Sequence, residues 1–121
     1  MALQVDNFAQ LQQYYRGVMG RMLHHATNIT HLAPHLLAAI VTHHEQGQPL
    51  EVRTYAGETA NVLWMYRGTR RYALVYRHGP ENNTGYIEVR QDTQNGPVIG
   101  QIDETLDPEG IDRLFRSLPR E

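Results

Sequence analysis

Six of the seven histidines in this 121-residue chain fall between positions 24 and 44, as His24-His25, His31, His35 and His43-His44. Imidazole is the commonest neutral metal ligand, so the cluster invites a metal site. A helical zinc pair needs ligands at i and i+4 on one established helix. His31 and His35 have that spacing, but Pro34 belongs in a first helical turn and puts His31 ahead of the helix. His35 and His43 are eight apart and roughly aligned, whereas His44 joins Leu37, Ile40 and Val41 on an apolar stripe. A metal-binding protein or metal-dependent hydrolase would draw on His35, His43 or His44, with His24 or His25 from the end of a preceding helix. No HExxH is present, and His43-His44-Glu45 is a poor match to catalytic metal patterns. The competing explanation is simpler. Histidines 24, 25, 43 and 44 each fall near a helix C-terminus, where the dipole favours a partly protonated ring. No cofactor is expected.

Other chemistries find less. The absence of cysteine removes thiol catalysis, disulfides and cysteine-ligated zinc. There is no GxSxG elbow, Walker loop or GxGxxG, and the only serine, Ser117, sits in the last helical pattern. Asp103-Glu104, with Asp107, Glu109 and Asp112, resembles a carboxylate site, but the last three suit the start of a helix. The residues therefore lean away from an enzyme.

The elements that position these residues follow from periodicity. After Asp6 as a cap, Phe8, Leu11, Tyr15, Val18 and Met22 recur at spacings of three and four, which predicts a helix from about Asn7 to Leu23. HLAPHLLAAIVTHHEQG predicts a second, short and buried helix starting at Pro34 and stopped by Gly47. From Pro49 the period becomes two, in PLEVRTYA, TANVLWMY, RRYALVYRH, GYIEVRQ and VIGQID. DPEGIDRLFRSLP then supplies Asp107 as cap, Pro108 in the first turn, and Ile111, Leu114, Phe115 and Leu118 on one face. The expected fold is α+β: two N-terminal helices, a five-stranded antiparallel meander sheet and a C-terminal helix, in one domain over residues 1–121. That order is generic, and no motif is specific to a family.

Two turns with glycine first, Gly57-Glu58 and Gly68-Thr69, suit two-residue type II′ hairpins and set the register of the first three strands. Leu50, Val52, Leu63, Met65, Tyr72, Leu74 and Tyr76 then share one face, suited to packing against helices. The other face collects Arg53, Tyr55, Val62, Trp64, Tyr66, Arg71, Ala73, Val75 and Arg77, too apolar and aromatic to be left to water. A three-residue loop between Arg67 and Arg70 would instead bring Trp64, Tyr66, Tyr72, Leu74 and Tyr76 together. Three things can cover the second face: the chain's own helices, a second copy, or a stacked ligand. The leading expectation is a small non-catalytic binding or interaction protein, a homo-oligomer using Arg53, Tyr55, Trp64, Tyr66, Arg71 and Arg77 as its contact surface. The alternatives are the metal reading above and a small-molecule binding protein or enzyme whose pocket, between helices and sheet, takes polar groups from Tyr72, Tyr76 and His44.

The totals set the frame. A chain of this length can bury about two-thirds of its unfolded surface in one core, and 40% hydrophobic with 20% charged residues is ordinary for a globular domain. A net charge of −2 argues against nucleic acid as a partner. The charge is unevenly spread: residues 51–90 carry six Arg against four acids, residues 91–121 three against seven. All eleven non-histidine basic residues are Arg, a bias that codon usage explains. No apolar run approaches the ~20 residues of a membrane span, and MALQVDNFAQLQQYYRG lacks a basic segment followed by an apolar one. The expectation is a cytoplasmic protein outside the membrane.

Overall fold

The protein was described from a computed structural model, which covers residues 9, 11–12, 15–16, 30–55, 58–78 and 84–120, with backbone alone for 30, 53–55, 58–61 and 78. Ala9, Leu11, Gln12, Tyr15 and Arg16 are helical, and Leu11 is buried in the core with Tyr15 packed against it. The rest of the helix expected from Asn7 to Leu23 lies outside the described residues, so one N-terminal helix is described in full rather than two. That helix, α1 (Ala33–His43), follows a single 3-10 turn at Thr30–Leu32. It begins one residue before Pro34, whose missing N–H costs nothing in a first turn. It ends at His43, four residues before Gly47, because His44 is already extended (φ −63°, ψ 137°) and its N–H closes the last turn on the Ile40 carbonyl at 2.9 Å.

Five strands follow: β1 (Glu51–Tyr55), β2 (Glu58–Arg67), β3 (Arg70–His78), β4 (Gly85–Gln91) and β5 (Val98–Ile102). They pair antiparallel in chain order, the expected meander. At the β2–β3 turn Arg67 pairs with Arg70, so the loop is the two residues Gly68-Thr69. Gly68 has φ +58° and Thr69 is not in the positive-φ region, the pattern of a type II′ turn. The three-residue loop is thereby excluded.

The β1–β2 turn corrects the other expectation. Glu58 lies in β2 paired with Tyr55, so Gly57-Glu58 is not the loop; residue 57 itself lies outside the described residues. Glu51 opposite Trp64 and Val52 opposite Leu63 keep the expected register, but Thr54 then pairs with Thr59. Three residues of β2, 60–62, thus face one of β1. A slip of two preserves the expected alternation between the two faces.

Those faces hold. Leu50, Leu63, Met65, Tyr72, Leu74 and Tyr76 are buried in one cluster with Ile87 and Val89 of β4 and Ile102 of β5, and Val52 packs against it. α1 closes this inner face with Leu36, Ala39 and Ile40. The second helix, α2 (Pro108–Ser117), closes it with Ile111 and Phe115. Asp107 caps α2 as expected, its carboxylate accepting from the Gly110 N–H at 2.7 Å.

After α2 the chain crosses the β2–β3 turn as a strap. Leu118 is buried, and the Tyr72 hydroxyl donates to the Pro119 carbonyl. The Thr69 N–H donates to the Arg120 carbonyl at 2.9 Å. Glu45, just past α1, accepts from the Gly68 N–H at 2.8 Å and from the Arg120 guanidinium at 2.5 Å. Those partners, the Gly68 N–H foremost, hold the Glu45 carboxyl below the usual carboxylate range. Only glycine fits here: a Cβ on Gly68 would lie 2.3 Å from the Arg120 carbonyl oxygen.

Candidate functional site

The outer face of the sheet is built by the residues alternating with the core. Val62 and Trp64 of β2 stand opposite Val75 and Ala73 of β3, and Tyr66 stands opposite Arg71. Val62, Ala73 and Val75 are 3%, 0% and 2% exposed, and Trp64 packs against them. This part of the face is therefore closed within a single chain, a small second core. The side chains of Arg53 and Tyr55 lie outside the described residues.

Beside that cluster sits a charge network. Glu88 of β4 is only 9% exposed and accepts from Arg77 Nε at 2.9 Å and Arg90 Nε at 3.0 Å. Burial opposes ionisation of Glu88, but the two guanidinium groups outweigh it and hold the carboxyl below its ordinary range. Arg90 also donates to the Gly96 carbonyl at 2.7 Å, fastening the β4–β5 turn.

The remaining end of the face lies near the β2–β3 turn. Arg71 stands over the Trp64 ring, 5.6 Å from its centroid, and pairs with Asp92 at 3.1 Å and Glu51 at 3.7 Å. The geometry is a cation–π contact braced from both sides. The Trp64 indole nitrogen is buried and has no hydrogen-bond partner among the described residues. Asp92 follows β4 with φ 65°, a left-handed conformation that aspartate tolerates better than most residues, and its N–H donates to the Arg71 carbonyl at 2.9 Å. An open concavity of about 450 Å³ adjoins this group, lined by Tyr66, Thr69, Arg70, Arg71, Gln91 and Asp92.

The described histidines do not converge. His44 is fully buried; its Nε2–H donates to the Gln48 carbonyl at 2.8 Å, and Nδ1 accepts from the Tyr66 N–H at 3.3 Å. Both ring nitrogens are spoken for, and burial lowers the pKa, so His44 is a neutral pin between the end of α1 and β2. His43 turns the other way, its Nε2 lying 2.7 Å from Asp112 of α2 and its ring against Phe115. The His43 hydrogen bond foremost, with the Arg116 guanidinium at 2.9 Å, holds the Asp112 carboxyl below the usual range. His35 is exposed and lines a cleft of about 130 Å³ with Thr42, Pro108 and Asp112. His24 and His25 lie outside the described residues. Among the described residues no three His, Asp or Glu side chains are grouped to hold a metal ion.

Tyr72 and Tyr76, expected to border a pocket with His44, are fully buried in the core. Asp103 organises its own turn: the Thr105 hydroxyl foremost, then the Thr105 N–H at 2.9 Å and the Gln101 amide at 3.0 Å, donate to its carboxylate and hold it below the ordinary range. Sequence reasoning missed Glu51, Arg70, Glu88, Arg90, Gln91 and Asp92. Carrying the alternation through β4 would have placed Glu88 and Arg90 on the outer face. The DTQNG turn carried no sign that Asp92 reaches back to Arg71.

Among the described residues no helix is long and apolar enough to cross a membrane. Comparison with curated proteins gives no match. A protein-family model matches residues 11–108, which takes in α1, the whole sheet and the outer face, and is described as Integron cassette protein VCH_CASS1 chain. With most of its length matched, the chain belongs to that integron cassette protein family.

Proposed function

We propose that the chain is a small non-catalytic interaction protein of the cytoplasm that self-associates through the outer sheet face, with Trp64, Tyr66 and Arg71 at the centre and Arg53, Tyr55 and Arg77 around them. The observation that carries this reading is the braced Arg71–Trp64 pair. A half-buried tryptophan under a guanidinium fixed by two carboxylates is a rigid amphipathic surface of the kind that interface centres favour. The patch also holds both signs of charge. A two-fold axis through it sets the arginines of one copy against Asp92 or Glu51 of the other, so the same surface complements itself. A partner of one charge sign would leave half of these groups opposed.

The test is the particle mass in solution. Light scattering across a concentration series gives a dimer for the wild type. Trp64→Ala and Tyr66→Ala shift it to monomer while circular dichroism stays that of the folded chain. A wild type that remains monomeric at the highest concentration refutes the reading.

A further inference from the structure

We infer that the concavity at the β2–β3 end of the sheet binds a small ligand through a carboxylate or phosphate group, with Arg70 as its principal cation. Charge pairing singles out this residue. Four arginines, Arg67, Arg70, Arg71 and Arg120, gather at this end of the sheet with three acids, Glu45, Glu51 and Asp92. Arg120 is paired with Glu45, and Arg71 with Glu51 and Asp92. Arg67 donates to the carbonyls of His43 and Arg116 at 3.4 and 3.3 Å. Arg70 is half-buried and lines the cavity, and its guanidinium has no ion pair or hydrogen bond among the described residues. Its neighbour across the hairpin is another arginine, Arg67. A guanidinium without a carboxylate partner is a ready bidentate partner for a planar carboxylate or a phosphate.

The rest of the wall suits the same ligand. Tyr66 and Gln91, whose side chains carry a hydroxyl and an amide able to donate, also line the cavity. Its only acid, Asp92, is occupied by Arg71 at 3.1 Å, which leaves the wall with a positive excess. A volume of about 450 Å³ admits a small molecule. The rim is set before any ligand arrives: the Gly68 N–H is held by Glu45, the Thr69 N–H by the strap, and Asp92 is tied by its N–H to β3. Preorganisation of this sort reduces the ordering cost of binding. The smaller cleft beside His35 lacks a free group of this kind, since Asp112 is already shared by His43 and Arg116.

This site adjoins the proposed contact surface but does not depend on self-association. The experiment is a nuclear magnetic resonance titration of the full chain with inorganic phosphate and with acetate, at ionic strength held constant with sodium chloride. Saturable shifts at the amides of Thr69, Arg70, Arg71, Gln91 and Asp92 are expected with at least one probe. Saturation by phosphate alone assigns a phosphate ligand, and saturation by acetate alone a carboxylate one. Arg70→Gln should weaken binding at least tenfold and Arg70→Lys by less, while Arg113→Gln, exposed on α2, leaves it unchanged. Shifts that never saturate, that chloride reproduces, or that survive both Arg70 substitutions overturn the inference. Particle mass read on the same samples separates the two ideas: a monomeric wild type that still binds the anion refutes self-association alone, and a dimer with no saturable site refutes the anion site alone.

Discussion

The two faces of this sheet are written by the same strands, residue by residue in alternation, yet they are closed by different means. The inner face is sealed by apolar side chains from two helices, so its stability comes from area removed from water and close packing. Among the described residues the outer face buries Val62, Ala73 and Val75 beside Trp64, together with the Glu88 carboxylate, and is flanked by arginines held by carboxylates. Apolar packing tolerates any partner of the right volume, whereas a guanidinium braced over a ring has one geometry. The lesson is a division of labour: the inner face defines the fold, and the outer face keeps polar groups oriented at the surface, where the proposed contact would form.

The sharpest test of that division uses neighbours on one strand. Leu63→Ala on the inner face should cost about 2–5 kcal/mol in urea unfolding, and Val62→Ala on the outer face about 1.6 kcal/mol, the worth of two buried methylenes. A loss at Val62 near zero would mean the outer cluster is no second core. Next comes Glu88→Gln, which leaves Arg77 and Arg90 without their shared anion and should cost about 1–3 kcal/mol. The wild-type contribution has a defined sign with pH. Because the folded carboxyl titrates below the ordinary 4.5, the contribution is present above that value and fades as pH falls through the folded value.

A smaller effect comes from His44. Burial depresses its pKa below the ordinary 6.5, so the unfolded chain takes up the proton first. Its contribution is complete above about pH 6.5 and declines on acidification, by less than about 1.4 kcal/mol per pH unit. Urea midpoints measured from pH 7 to 5 should fall, and His44→Gln should flatten that slope; an unchanged slope would mean the ring is not a neutral pin. The smallest change is Asp92→Asn, which keeps a residue tolerant of φ 65° and removes only an exposed ion pair. Its cost should be about 0.2–1 kcal/mol. A larger loss would show that Arg71 is held more by Asp92 than by Trp64.

Most of the architecture was legible because it rests on local rules. Gly68-Thr69 announces its turn, the period of two assigns Leu63 inward and Trp64 outward, and Asp107 sits where a cap belongs. The slip between β1 and β2 was not legible, because three residues facing Arg53 depend on pairing rather than on any residue type. The end of α1 was misplaced for a similar reason: Gly47 looked like the stop, but His44 leaves the helix to pin β2. The candidate site was legible in part. Trp64, Tyr66 and Arg71 share a face by alternation, but Arg71 and Asp92 are 21 residues apart, and His43 and Asp112 are 69 apart. No spacing rule reaches across such separations, and the helical alignment of His35 with His43 gave no hint that Asp112 would claim one ring.

The strap over Gly68 bears on the order in which the molecule assembles. Strands adjacent in the chain are adjacent in the sheet, so each pairing closes one short loop and the meander can form from local contacts. The strap contacts join Thr69 to Arg120 across 51 residues and Glu45 to Arg120 across 75, the kind of long-range closure that carries a larger entropic penalty. During synthesis the five strands are complete before residues 118–120 exist. The hairpin end that holds Arg70 and Arg71 is therefore the last part of the sheet to be locked.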